Sequence, residues 1–338
     1  MRKEAGMGEW KRLYDLATRI KELKPWEDFW DLDLICLRDG EKEDSAFVSI
    51  LGKGGECYGL VIYEGYQELN TFMMMLNQEA LNLSTEFVMG NQSNLSCYWG
   101  SRDELTDKER GIIKEIGYKF RGINQWLYFR SYKEGYYPYR LDQDEVQRMC
   151  YYLEILEEAI LKYRSEEVKV NFQSGEMYVY SIDPETDNRY WGAEALPFVT
   201  FSYRSLTLDD KEMEDKLRKV PVNSYVLEMD IVYQAGKING KSYERPGNVR
   251  MITIAEARSG LIMKVQPLNP EDDQLVEIAN SLIDFIVQFG APKEIHVGNI
   301  LVEGALEELC MIIGTKLRRV KRLQVIDDFI NGTEERMR

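Results

Sequence analysis

Hydrophobic periodicity changes in the same order twice along this 338-residue chain, and that order limits the folds open to it. In the first half, Trp10, Leu13, Tyr14, Ala17 and Ile20 recur at helical spacing, so a helix spans 8–23 and Pro25 stops it. Leu32–Leu37, Ser45–Leu51 and Cys57–Tyr63 read as strands. The last two are joined through Gly52-Lys53-Gly54-Gly55, whose three glycines supply positive φ for a turn. A helix over 66–82, a strand Leu95–Trp99 and a helix over 107–116 follow, the latter opened by Thr106 and Glu109 as a capping box. An aromatic strand, Trp126–Tyr132, and a long helix over about 142–164 close the half.

Residues 166–200, a connector or the opening of the second half, hold a hairpin, Val168–Phe172 with Met177–Ile182, and an irregular loop to Pro197; a short charged helix over 209–219 follows. Strands Tyr225–Tyr233, Val249–Ala255 and Leu261–Gln266, a helix over 271–289, a strand Glu294–Val297, a helix over 303–313, a strand Lys316–Val320 and a helix Leu323–Ile330 complete it. Both halves therefore read βββαβαβα, with like spacing from first to fourth strand: Ile35 to Cys97, and Met229 to His296. At roughly 150 residues per domain the length fits two domains. The expected fold class is α+β, mixed sheets with helices in two lobes, 1–165 and 166–338, with internal duplication as a hypothesis.

Apolar residues make up 44% of the chain, enough to build cores and to exclude disorder. The net charge of −15 repels phosphate backbones, so a nucleic-acid partner is not expected. The basic run Lys316, Arg318, Arg319, Lys321, Arg322 reads as a charged strand edge. Cys36, Cys57, Cys97, Cys150 and Cys310 form no CxxC pair and sit largely in apolar surroundings, the pattern of buried, reduced thiols. With no apolar signal core at the start and no long apolar run, a cytoplasmic protein without membrane association is expected.

The strand Leu227-Glu228-Met229-Asp230-Ile231 and the segment Phe289-Gly290-Ala291-Pro292-Lys293-Glu294-Ile295-His296-Val297-Gly298-Asn299, set in the βββαβαβα order, resemble the integrase branch of the ribonuclease-H-like superfamily over about 225–330. The resemblance implies a three-stranded meander whose first strand lies parallel to 294–297. It also implies a two-metal site with Asp230 as first ligand, a second at 298–299 and a third at Asp327 or Asp328. Gly298 and Asn299 carry no charge, so the copy is expected to be catalytically silent. Read without the resemblance, Asp230 is a solvent-facing strand residue between Met229 and Ile231. The whole chain also resembles an uncharacterised family of two-domain bacterial proteins. That likeness rests on Trp10-Lys11-Arg12-Leu13-Tyr14 with Lys24-Pro25-Trp26, Tyr58-Gly59-Leu60 with Tyr63-Glu64-Gly65, and Lys119-Phe120-Arg121-Gly122 with Phe129-Arg130-Ser131-Tyr132. It implies domains of unknown function and brings no site with it.

Other candidates are weaker. His296, the one histidine, reads as a strand residue. The glycine turn lacks P-loop spacing. Asp183, Glu185, Asp187 and Glu194 match oxygen-ligand positions of a calcium loop, with Asn188 at the position needing a left-handed residue, but strands flank it where helices are required. Tyr136-Tyr137-Pro138-Tyr139 is either an aromatic contact surface or cover for the seam between strand and long helix. No complete catalytic set or cofactor site emerges. The expectation is a non-enzymatic binding or interaction protein, with a protein as its candidate partner. The alternative is a metal-dependent hydrolase or nuclease with an unrecognised site around Asp230.

Overall fold

A computed structural model describes residues 2–40, 45–165, 168–240 and 242–337. Its elements, in chain order, begin with α1 (Met7–Leu23), β1 (Ile35–Asp39), β2 (Ser45–Leu51), β3 (Gly59–Glu64), α2 (Tyr66–Leu76), α3 (Gln78–Leu81), α4 (Thr85–Gly90), β4 (Asn94–Gly100) and α5 (Asp107–Glu115). There follow β5 (Trp126–Tyr132), α6 (Gln143–Ser165), β6 (Glu176–Ile182), β7 (Arg189–Ala195) and α7 (Lys211–Leu217). Last come β8 (Val226–Ile238), β9 (Gly247–Glu256), β10 (Leu261–Pro267), α8 (Gln274–Phe289), β11 (Glu294–Val297), α9 (Ile300–Ile313), β12 (Lys316–Arg319) and α10 (Gln324–Met337). The chain forms two compact units, one of Met1–Met73, Gln92–Lys133 and Pro138–Thr200, the other of Met74–Asn91, Glu134–Tyr137 and Phe201–Arg338.

The first unit is a seven-stranded sheet in the order β5-β4-β3-β2-β1-β6-β7. Strands β1 to β5 form an antiparallel meander, and β6 returns parallel to β1. Alternating residues of β1 and β2 bury Ile35, Leu37, Ala46 and Val48 against the apolar faces of α1 and α6, which contribute Leu13, Ala17, Leu153 and Leu156. The linear order βββαβαβα holds here, but β4 lies beside β3 and not beside β1. The half is therefore no topological copy of the second. Val168–Phe172 forms no strand; Val168 and Val170 pack on the core from irregular chain and Phe172 from the start of a short 3-10 turn. The partner of β6 is instead β7, in the stretch expected to be a loop. The glycine turn also differs in detail: Gly52 and Gly55 have φ of 123° and 85°, whereas Gly54 is not among the left-handed residues.

The second unit is a five-stranded sheet in the order β10-β9-β8-β11-β12. β8 pairs antiparallel with β9, which pairs antiparallel with β10, while β8, β11 and β12 run parallel. This order, with the second strand alone reversed between its neighbours and helices after the third, fourth and fifth, is the ribonuclease-H-like arrangement. One face carries α8 and α9, whose Ile278, Leu282, Val302 and Leu306 pack on Leu227, Met229 and Ile231. The opposite face carries α10, with Leu323 and Ile326 against Val232 and Ala255. The helix expected over 66–82 is two, α2 and α3, parted at Asn77; α3 ends where Asn82 takes a left-handed φ of 55°, and Ser84 caps the start of α4. Phe87 of α4 packs edge-on against Tyr233 of β8, their ring centres 5.2 Å apart.

Candidate functional site

In a parallel pair, side chains at matching positions share a face and strand ends coincide, so the pairing of Met229 with Val297 sets Asp230 level with Gly298. Alternation along β8 sends Met229 and Ile231 into the core beneath α8 and α9, and Glu228, Asp230 and Val232 toward α10. Glu228 is buried, and its Oε2 accepts from the backbone N–H groups of Val325 (2.9 Å) and Ile326 (3.1 Å). Those are orphan donors in the first turn of α10, so Glu228 docks the helix start that carries Asp327.

The result is a cleft of about 280 Å³ lined by Asp230, Asn299, Arg322 and Asp327, among others. Asp230 Oδ1 accepts from Asn299 Nδ2 at 2.9 Å and from its neighbour's N–H, Ile231 N, at 2.8 Å. The solvent-facing reading of Asp230 gives way to this: it lines the cleft, half-buried. Burial, with the nearby charge of Asp327, pushes its carboxyl up to about 7. Burial also raises Asp327, against which Arg322 acts at 3.3 Å. Asp328 lies outside the cleft, exposed, held by Gln324 at 2.8 Å.

Asn299 is committed twice. Its Oδ1 accepts from Leu301 N and Val302 N, both at 3.0 Å, as the N-cap of α9, and its amide N–H turns to Asp230. A Cβ at Gly298 would lie 2.7 Å from Asp230 Oδ2, so a larger residue there requires that carboxylate to shift. The cleft is walled on one side by the α3–α4 link, where Asn82 Nδ2 donates to the Gly298 carbonyl at 2.7 Å. Sequence reading missed this wall. The Asn82-Leu83-Ser84 break marks a helix end, but nothing local tells where that end docks.

The residues do not fit the paired metal ions of the fold's catalytic members. Such a site needs several carboxylate oxygens free to face a cation. Here the second position offers an amide whose oxygen is spent on a helix cap and whose N–H is donated to Asp230 Oδ1. Among the described residues no three of His, Cys, Asp and Glu gather in metal-holding geometry.

The other candidates are placed as follows. Asp183 Oδ1 accepts from Glu185 N and Thr186 N in a turn, and Glu194 pairs with Arg38 at 3.0 Å on β7. The left-handed residue is Asp187, φ 58°, and not Asn188. The stretch is thus the β6–β7 hairpin turn, with Asp183, Asp187 and Glu194 engaged by the chain's own groups. His296 Nε2 lies 3.0 Å from Glu294 Oε1, on β11. The basic run falls on β12, an edge strand, where Arg318 and Arg319 pair with Glu294 and Glu303. Lys321 and Arg322 line the cleft. Tyr136 is buried and bonds Glu271 at 3.1 Å, while Tyr137 is exposed. Cys36, Cys97, Cys150 and Cys310 are buried free thiols, and Cys57, expected inside, is exposed. Among the described residues no helix is long and apolar enough to cross a membrane.

Two family models match the chain, each described as a domain of unknown function: DUF7309 over residues 10–180 and DUF6930 over 214–334. No curated protein matches. Among solved structures, the HTLV-2 integrase catalytic core domain in complex with magnesium is 14% identical, with a TM-score of 0.25, over 34% of this chain and 69% of that one. The catalytic core domain of BIV integrase is 16% identical, TM-score 0.25, over 34% and 66%. A Bacteroides thetaiotaomicron protein with an actin-like ATPase fold and unknown function is 11% identical, TM-score 0.20, over 89% and 96%.

Proposed function

The chain belongs to the DUF7309 family of unknown function, and from that premise we propose a non-enzymatic, cytoplasmic binding protein whose ribonuclease-H-like unit is catalytically silent. One observation carries the reading: the Asn299 amide donates to Asp230 where a two-metal site needs a second carboxylate. The wall formed by the α3–α4 link further narrows access to that position.

Titration calorimetry with magnesium and manganese chloride tests the reading. The wild-type chain is expected to give no saturable heat. Asn299→Asp retains an N-cap acceptor and supplies the missing charge, so it is expected to gain divalent-ion binding. Metal-dependent cleavage of nucleic acid by the wild type, lost in Asp230→Asn, overturns silence. That outcome would favour a hydrolase, a reading supported by Asp230 itself, because a carboxyl near 7 exchanges protons at neutral pH.

A further inference from the structure

Edge strands expose a row of unpaired N–H and C=O groups, and proteins ordinarily blunt them with lysine, proline or bulges. β7, Arg189-Tyr190-Trp191-Gly192-Ala193-Glu194-Ala195, ends the first unit's sheet without lysine, proline or bulge, its two charged side chains Arg189 and Glu194 being paired within the copy, and it pairs with β6 in unbroken register. Tyr190 is 56% exposed and Trp191 38%. We propose that β7 pairs antiparallel with β7 of a second copy of this chain, about a two-fold axis at Gly192, joining two sheets into one.

The backbone sets the register. Asp183 N donates to Asn188 O, and Leu196 N donates to Gly175 O, at the two ends of the β6–β7 ladder. Hydrogen-bonded and non-hydrogen-bonded pairs alternate in such a ladder. Residues 190, 192 and 194 therefore spend their backbone groups on β6, and residues 189, 191, 193 and 195 turn theirs to the free edge. Centring the axis on Gly192 sets 191 opposite 193 and 189 opposite 195, so every outward residue meets an outward residue. That makes about eight new ladder bonds.

Side chains agree with this register. Trp191, pinned by Lys162 Nζ 3.7 Å above its ring, meets the small Ala193. Tyr190 falls opposite Glu194 and diagonally over the partner copy's Gly192, a bare stretch of strand that an aromatic ring covers. Within one copy nothing requires glycine at 192: its φ is not left-handed, and an added Cβ meets nothing within 4 Å. The symmetric pairing gives it a reason.

Sedimentation of the full chain over a concentration series is expected to show the mass rising toward that of a dimer. Gly192→Cys in a Cys57→Ser background places two thiols at a non-hydrogen-bonded pair on the axis, within reach of a disulfide, and mild oxidation is expected to trap the dimer. Ala193→Pro removes an outward N–H without touching the β6 ladder and is expected to weaken dimerisation roughly tenfold or more. A thermal melt matching the wild type establishes that this variant folds. A chain that stays monomeric throughout, a dimer that Gly192→Cys fails to trap, or a constant unmoved by Ala193→Pro in the folded variant each overturns the proposal.

Discussion

Asp230 couples the cleft to stability. Its carboxyl titrates near 7 in the folded chain and near the ordinary aspartate value when unfolded. A raised carboxyl keeps its proton in the native state, so its contribution is fully present below the unfolded pKa and is lost as pH rises through about 7. Asp230→Asn removes that dependence while keeping an acceptor for Asn299 and Ile231. The variant is expected to be more stable than the wild type at pH 8, by about 1–3 kcal/mol, with the difference shrinking toward pH 4; thermal melts across the range read it. Asn299→Ala removes the acceptor of two backbone N–H groups at the start of α9 and is expected to cost about 1–2 kcal/mol in a denaturant melt. The place of Asp230 beside Asn299 was legible only through the resemblance to the integrase branch, which sets the first strand beside 294–297. The roles of Glu228 and Asn82 were not, since each bonds a backbone group far away in sequence.

At the scale of elements, local pattern served well where one face is buried. β5 and β11 have the bounds that their alternation predicts, and α6 follows its apolar stripe. β7 escaped because an edge strand exposed on both faces has no alternation to read, and Gly192 and two charges resemble loop chemistry. Strand order in the first half escaped for another reason. The pattern of elements does not say whether the chain returns to the centre of a sheet or extends its edge, and β4 extends it. Closeness between elements gives a further test. Gly90 ends α4 against β8, and a Cβ there would lie 2.3 Å from the Tyr233 ring. Gly90→Ala is expected to cost about 1–3 kcal/mol and to speed protease cleavage within 78–91, since the buried ring has little freedom to yield.

At the scale of the molecule, neither unit is a continuous length of chain. Residues 74–91 belong with 201–338, and Met74, Leu83, Phe87 and Val88 sit in that unit's core. A fragment of 201–338 loses these side chains, each worth roughly 1.5–3 kcal/mol at most. It is expected to melt below the full chain and to bind a hydrophobic dye, as calorimetry and fluorescence would show. The chain passes from one unit to the other after residues 73, 91, 133, 137 and 200. During synthesis, α4 therefore leaves the ribosome while its seat on β8 is still unmade. Phe87 and Val88 must stay uncovered through the whole translation of the first sheet, and the second unit can close only by reaching back for a helix made long before it.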